Sequence, residues 1–311
     1  MYIRIIYERE NMSDLELFKK NICAIIVTFH PDEKFETRVL KTLKQAGKVV
    51  IVDNNSSVEK KDMLRRIVST QPDCALIEND DNLGIAKALN QGISWAKSNG
   101  FEFVLLFDQD TVVEDNITES LLQVYTKYPQ KDKIAVIGSN YTDTYTKQNV
   151  YGEYYDKNSL WVEILTVITS GSLIPIRVID ELGPFREDFF IDHVDDEFCL
   201  RAKQKGYKVI LSMKEVMRHS LGSATMHKFL WRKTGTSNHS PLRRYYMTRN
   251  HTVLIKEYLF KEPAWVWDTS FCRLKSLILM CLFEHKRLTK LKLIIKGLMH
   301  GLFSKKLRNL K

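Results

Sequence analysis

The 311-residue chain contains no low-complexity tract and no repeat of solenoid period, which excludes the fibrous and array classes. It has no Cys-x-x-Cys pair and no Cys/His spacing suited to zinc. Its five cysteines (Cys23, Cys74, Cys199, Cys272 and Cys281) are scattered and odd in number. That excludes a disulfide-stapled scaffold and makes reduced thiols in a cytoplasmic protein the simplest account. No uncharged apolar run approaches the roughly 20 residues needed to span a bilayer; the longest is Ser276–Phe283. Met1–Glu10 carries Arg4, Glu8, Arg9 and Glu10, and no cleavage-site pattern follows, which points away from secretion. A basic groove running through the fold is also missing. The net charge is +9, yet His251–Lys311 alone holds 13 Lys+Arg against 4 Asp+Glu, and the remaining residues balance at 34 of each. No nucleic-acid partner is expected from that distribution. A basic segment meeting an anionic surface is.

What the chain does have is Phe101–Asp110, FEFVLLFDQD. The apolar run Phe103–Phe107 ends in two carboxylates, Asp108 and Asp110. A continuous apolar run between Gly100 and such a pair reads as a strand buried on both faces, hence as part of a parallel sheet. Ligands of open α/β sheets bind beyond the carboxyl ends of the strands. Two acids there suit a hard divalent cation, Mg2+ or Mn2+, and a cation there suits a diphosphate. A solvated loop that happens to open with two acids is the competing reading.

The pattern around this strand alternates regularly. Ile22–Phe29, Lys48–Val52 and Cys74–Glu78 read as strands. Glu33–Ala46, Asp62–Ser69 and Gly84–Lys97 read as helices. That spacing predicts βαβ units in a mostly parallel, doubly wound α/β sheet. Each strand end carries a polar group of ligand type: Thr28, Asp53, Asn82 and Asp108. An Asx-turn into Asn54-Asn55-Ser56 is as good an account of Asp53 as a nucleotide contact. Lys133–Ser139 reads as a further strand, and Val162–Pro175, with Thr169-Ser170-Gly171-Ser172 inside it, as part of a second-substrate pocket. Met1–Asn11 shows no core pattern and is expected to be dispensable, with Ser13 or Asp14 capping a short helix.

A second acidic cluster lies in Glu187–Ala202, EDFFIDHVDDEFCLRA. Asp195, Asp196 and Glu197 fit the first turn of a helix, where the macrodipole favours acids. Asp192 and His193, bracketed by Phe189, Phe190 and Phe198, are less well explained by helix chemistry. Aromatic walls desolvate a carboxylate and suit it to act as a general base.

Taken in order, Val27-Thr28-Phe29-His30-Pro31, Val52-Asp53-Asn54-Asn55-Ser56, Asn82-Leu83-Gly84 with Asn90 and Gly92, Phe107-Asp108-Gln109-Asp110, Gly183-Pro184-Phe185, and Asp195-x-Glu197 followed by Arg201 resemble glycosyltransferase family 2. Phe190-Ile191-Asp192-His193-Val194-Asp195 with Cys199-Leu200-Arg201 is most similar to the bacterial rhamnosyltransferases of surface-polysaccharide (O-antigen or capsule) biosynthesis. The resemblance spans roughly Ile22–Tyr258. It implies a GT-A fold and inverting, metal-dependent sugar transfer, here of L-rhamnose from dTDP-L-rhamnose to a lipid-linked glycan. It implies nucleotide-sugar contacts from Thr28, Asp53, Asn82, Gly84 and Asp108, with Arg244 and Arg249 near the leaving group. It implies metal ligation by Asp108, Asp110 and His219, and a catalytic base at Asp195. Val194 stands where many relatives have Glu, so Asp192 remains the other candidate for the base.

The domain expectation is an extension over 1–21, a GT-A domain over 22–258, and a basic amphipathic helical extension over 259–311. Leu291, Ile294, Ile295, Leu298 and Leu302 share one helical face, with Lys292, Lys296, Lys305 and Lys306 elsewhere. Such a helix suits peripheral attachment to the inner face of the cell membrane through anionic lipid. Packing on the catalytic domain or on a second subunit, as in a homo-oligomer, is the alternative. Three other functions compete: transfer from another nucleotide-sugar donor, nucleotidyl transfer, and an inactive glycan-binding scaffold. Nucleotidyl transfer would call for a Gly-rich basic loop after the first strand, where Thr28-Phe29-His30-Pro31 stands.

Overall fold

The computed structural model describes residues 13–144, 147–152, 155–156, 158–219, 225–229 and 232–304. The expectations for Met1–Asn11 and for Lys305 and Lys306 lie outside them.

The first half winds as its pattern predicts. Helix α1 (Asp14–Lys20) starts where the Ser13 hydroxyl accepts the Glu16 N–H at 3.3 Å. Strands β1 (Ile22–Thr28), β2 (Lys48–Asp53), β3 (Cys74–Glu78) and β4 (Phe103–Asp108) pair in parallel, in the order β3-β2-β1-β4. Helices α2 (Phe35–Leu43), α3 (Val58–Thr70) and α4 (Ile85–Ser98) connect them. The strands are nearly continuous apolar runs because helices cover both faces of the sheet. The helices bury one stripe each, such as Met63, Leu64 and Ile67 on α3.

After β4 the sheet becomes mixed. The elements are β5 (Val112–Val113), α5 (Ile117–Lys127), β6 (Ile134–Asp143), β7 (Trp161–Ile164), β8 (Ser172–Pro175), α6 (Ile176–Leu182), α7 (Val194–Gln204) and β9 (Lys208–His219). Strand β8 joins β4 antiparallel, β6 joins β8 antiparallel, and β9 runs parallel to β6. The short β5 pairs antiparallel with the end of β9, Val112 opposite Arg218. That pairing returns the chain just after Asp110 to the vicinity of His219.

The hairpin β10 (Thr225–Phe229) and β11 (Arg232–Thr236) is followed by α8 (Pro241–Tyr258), α9 (Pro263–Phe283) and α10 (Arg287–Phe303). The chain clusters into two compact units. One comprises residues up to Phe185 with Phe198–His219, and the other Arg186–Glu197 with the residues after His219. Helix α8 falls in the second of these units, with the C-terminal helices.

The second unit is organised around α8, most of whose residues are buried. Helix α10 lies against it through Gly297 and Gly301. A Cβ at Gly297 would stand 2.5 Å from the Tyr245 carbonyl oxygen, and one at Gly301 2.6 Å from the Thr252 Cβ. The buried Glu284, between α9 and α10, accepts from Arg244 at 2.8 Å, from Lys290 at 2.6 Å and from the Asn238 N–H at 3.1 Å. Burial alone would push this carboxyl up, but Lys290 and Arg244 hold it below the usual carboxylate range. A buried charge persists only when paired and hydrogen-bonded in this way.

Candidate active site

The carboxyl edge of the first unit is laced by polar side chains. Thr28 and Asp53, at the ends of β1 and β2, are fully buried. Thr28 Oγ1 donates to Asp53 at 3.0 Å, and Asp53 also takes the Ser56 N–H at 2.9 Å and the Ser56 hydroxyl. Asp53 thus closes its own turn on Ser56, three residues on. Asn54 donates to the Gly84 carbonyl at 3.1 Å and accepts from Asn79, tying the second and third strand ends to the start of α4. Asn82 is exposed and accepts the Gly84 N–H at 3.0 Å; Gly84, at φ 86°, is the N-cap of α4. Between Asp108 and Asp110, Gln109 accepts the Phe29 N–H at 2.7 Å and donates to the Phe29 carbonyl at 3.2 Å. This two-way bond anchors the middle residue of the Asp-x-Asp turn to the end of β1.

Asp108, Asp110 and His219 converge. One ligand atom from each lies within 4.8 Å of the others. His219 Nε2 is 3.6 Å from Asp108 Oδ2, and Nδ1 is 3.5 Å from Asp110 Oδ1. His219 is buried, whereas Asp108 and Asp110 are 38% and 46% exposed in their side chains, so the cluster opens to solvent on its acidic side. Two carboxylates and an imidazole, with open positions, fit a divalent cation such as Mn2+. The imidazole is held from behind. Thr111 Oγ1 lies 3.0 Å from His219 Nδ1 and 2.6 Å from Ser170 Oγ, and the Ser170 hydroxyl accepts the Asp108 N–H at 3.2 Å. Tyr141 meets the ring edge-on at 5.8 Å. Thr111 and Ser170 were not singled out as metal-supporting residues in the sequence. Thr111 follows the Asp-x-Asp directly, but Ser170 read only as part of a substrate pocket.

The second acidic cluster lies at the start of α7, in the C-terminal unit. Phe190, Asp192 and His193 all have positive φ (49°, 64° and 62°), a conformation rare for residues with a Cβ. Arg243 clasps the Asp192 carboxylate through two nitrogens. Arg273 lies 2.8 Å from His193 Nε2, and because a guanidinium only donates, that nitrogen is the acceptor. Nδ1 then carries the proton and donates to Asp196 at 2.8 Å. Asp195 accepts the Asp196 N–H at 2.9 Å. Phe190 stacks on Tyr246 at 4.8 Å, while Phe189 is fully buried under the Arg186 guanidinium.

The profile of glycosyl transferase family 2 matches residues 23–183. A curated relative, dTDP-rhamnosyl transferase RfbF of Shigella flexneri, is 30% identical over 253 residues, 76% of this chain and 80% of its own. The chain belongs to glycosyl transferase family 2. Among solved structures, this glycosyltransferase is similar to the mannosyltransferase PcManGT from Pyrobaculum calidifontis in complex with GDP-Man and Mn2+. The TM-score is 0.57 at 15% identity, covering 92% of this chain and 88% of that one. It is also similar to GalNAc-T7 with UDP, GalNAc and Mn2+, at TM-score 0.56 and 13% identity over 76% of this chain, although it spans only 48% of that structure. These likenesses establish the GT-A fold for the family 2 enzyme.

Arg244 and Arg249, expected near the leaving group, are both buried among side chains. Arg244 is buried on Glu284 and Ser276. Arg249 is fully buried, donating to the Asp188 carbonyl and to Asn250 and lying over the Tyr246 ring.

Proposed function

We propose that the enzyme transfers L-rhamnose from dTDP-L-rhamnose, with inversion, to a lipid-linked glycan acceptor. The observation that carries the metal-dependent part is the Asp108, Asp110 and His219 cluster at the carboxyl edge of the sheet. The donor is supported by the relative named for dTDP-rhamnosyl transfer, which aligns over most of both chains.

In this reading Asp108, Asp110 and His219 hold the divalent cation. Bound there, it would supply positive charge against the departing diphosphate. Thr111 and Ser170 keep the imidazole and the Asp108 backbone in place. Thr28 and Asp53, being fully buried, form the floor under the nucleoside, and Asn82 and Gly84 border it at the start of α4. Asp195 takes the proton of the acceptor hydroxyl. Arg243 holds the Asp192 carboxylate through two nitrogens, and a carboxylate committed to a guanidinium is a poorer base. No second nucleophilic carboxylate is needed, since inversion takes one displacement.

The C-terminal helices support a peripheral place on the inner face of an anionic membrane. No helix among the described residues is long and apolar enough to cross one. Trp267, Phe271, Leu274, Ile278 and Leu282 form an exposed stripe along α9, with Trp267 73% exposed. On α10 the inward positions are Lys290, Gly297 and Gly301, while Leu288, Ile295, Met299, Leu302 and Phe303 face outward. Lys275, Lys292 and Lys296 accompany them, so the surface is apolar and basic together.

The deciding experiment incubates purified enzyme and Mn2+ with dTDP-rhamnose, UDP-, GDP- and other nucleotide sugars, and measures release of the nucleoside diphosphate with and without acceptor extracts. Turnover only with another donor would refute the rhamnose assignment. Turnover with none would favour the scaffold reading.

A further inference from the structure

The turn that leads into Asp195 is built around one side chain. Asn250, on α8, is fully buried. Its amide nitrogen lies 2.7 Å from the Phe189 carbonyl oxygen, 2.9 Å from that of Ile191 and 2.9 Å from that of Asp192. Its own oxygen accepts from Arg249 Nε at 2.9 Å. That bond fixes which end of the amide is nitrogen, since a flipped amide would set an oxygen against three carbonyls and an N–H against another N–H.

Three carbonyls converging on one point repel one another unless a donor sits between them. The backbone here also bends through left-handed geometry at Phe190, Asp192 and His193. Conformations of that kind persist only where their surroundings over-determine them, and they cluster at functional sites. Helix α8 supplies the determination from a single face. Arg243 holds the Asp192 carboxylate, Tyr246 stacks on Phe190, and Asn250 gathers the carbonyls. Positions 243, 246 and 250 are spaced three and four apart, as residues on one helical face are. Asp195 follows Asp192 by three residues, in the first turn of α7.

We propose that Asn250 is a positioning residue for catalysis: by donating to the Phe189, Ile191 and Asp192 carbonyls it sets the turn that places Asp195 for proton abstraction. The proposal rests on the reading of Asp195 as the base. Asn250 touches no reacting atom in it. Its loss displaces the base.

The test compares Asn250→Ala, Asn250→Asp and Asn250→Ser with wild type and with Asp195→Asn. Alanine has no donor, aspartate adds an acceptor facing three carbonyls, and serine keeps one donor. Three quantities are measured: kcat of transfer, KM for the donor, and the affinity for Mn2+ together with the nucleoside diphosphate that wild type binds. The expected result is a fall in kcat of tenfold or more for alanine, a larger one for aspartate and partial recovery for serine, with donor KM and nucleotide affinity within about twofold of wild type. Wild-type kcat in the alanine and aspartate variants would overturn the proposal. So would serine no better than alanine, or nucleotide affinity falling in step with kcat, which would assign Asn250 to general folding. If instead Asp195→Asn transfers sugar normally, the assignment of the base fails, and that outcome is separate from any Asn250 result.

Discussion

Arg243 closes on Asp192 with two nitrogens, Nε 3.1 Å from Oδ2 and Nη2 3.0 Å from Oδ1. A carboxylate held in that fork is oriented and neutralised, which makes Asp192 a poorer proton acceptor. Asp195→Asn is expected to lower kcat by about 10²–10⁴-fold, the usual worth of a general base, with donor KM little changed. Asp192→Asn is expected to have a smaller effect on kcat and to lower the melting temperature. Steady-state kinetics on both variants checks this, and the reverse ranking would move the base to Asp192.

The cluster of Asp108, Asp110 and His219 carries two formal negative charges. Asp110→Asn removes one of them and one hard oxygen ligand. Mn2+ affinity, followed by titration of the free-ion paramagnetic resonance signal, is expected to fall by at least about tenfold. EDTA is expected to abolish activity in the wild type. Full turnover in EDTA would take the metal out of the reaction.

Gly297 should resist even the smallest side chain. An alanine gains up to about 1 kcal/mol of helix propensity over glycine. Its Cβ would meet the Tyr245 carbonyl oxygen at 2.5 Å, and forcing atoms into a packed contact costs about 1–3 kcal/mol. Gly297→Ala is therefore expected to be destabilising on balance, by roughly 1 kcal/mol in denaturant melts. An unchanged or raised midpoint would mean that α10 can shift off α8 at little cost.

Peripheral membrane binding should need both the apolar stripe and anionic lipid. Co-sedimentation is expected with vesicles containing phosphatidylglycerol and not with neutral ones, and high salt should weaken it. Ile295→Asp, at a position 60% exposed, is expected to reduce binding without unfolding the helix. Equal binding to neutral vesicles, or a shift to a dimer on burying these faces, would point to protein rather than lipid as the occupant.

Burial pushes His251 down to about 3, with His193 and Arg273 adding to the effect. The unfolded chain takes up this proton near pH 6.5, whereas the folded one stays neutral. Between those values the unfolded state binds more protons, so stability falls as pH falls, by at most about 1.4 kcal/mol per unit for this group. His239, pushed down to about 4 by burial and Arg243, acts with the same sign. His251→Asn is expected to flatten the slope of stability against pH between 6.5 and 4. An unaltered slope would assign acid sensitivity to other groups.

Much of the first unit could be read from the chain. The runs Ile22–Val27, Val49–Val52 and Phe103–Phe107 are apolar without interruption because both faces of their strands are covered, and that leaves a signal no surface strand shares. The two acids at the end of β4 were legible for the same reason, standing where burial stops. The burial of Arg244 and Arg249 was not. It rests on partners such as Glu284 and the Asp188 carbonyl, which are distant in sequence. The seam of the C-terminal helix was not legible either. Gly297 and Gly301 face α8, because close approach of two backbones rewards the absence of a side chain, and an apolar period carries no sign of that.

The sequence by itself determined the alternation of strand and helix, the acids at the sheet edge, and the concentration of positive charge in the last helices, since each depends on neighbours a few residues away. Tertiary structure alone decided that β5 pairs with β9 and so delivers His219 to Asp110, that Thr111 and Ser170 back the imidazole, and that Asn250 gathers the carbonyls before Asp195. Those contacts join residues roughly 60 to 110 positions apart. No local pattern encodes them, because the energy that selects them comes from packing the whole chain.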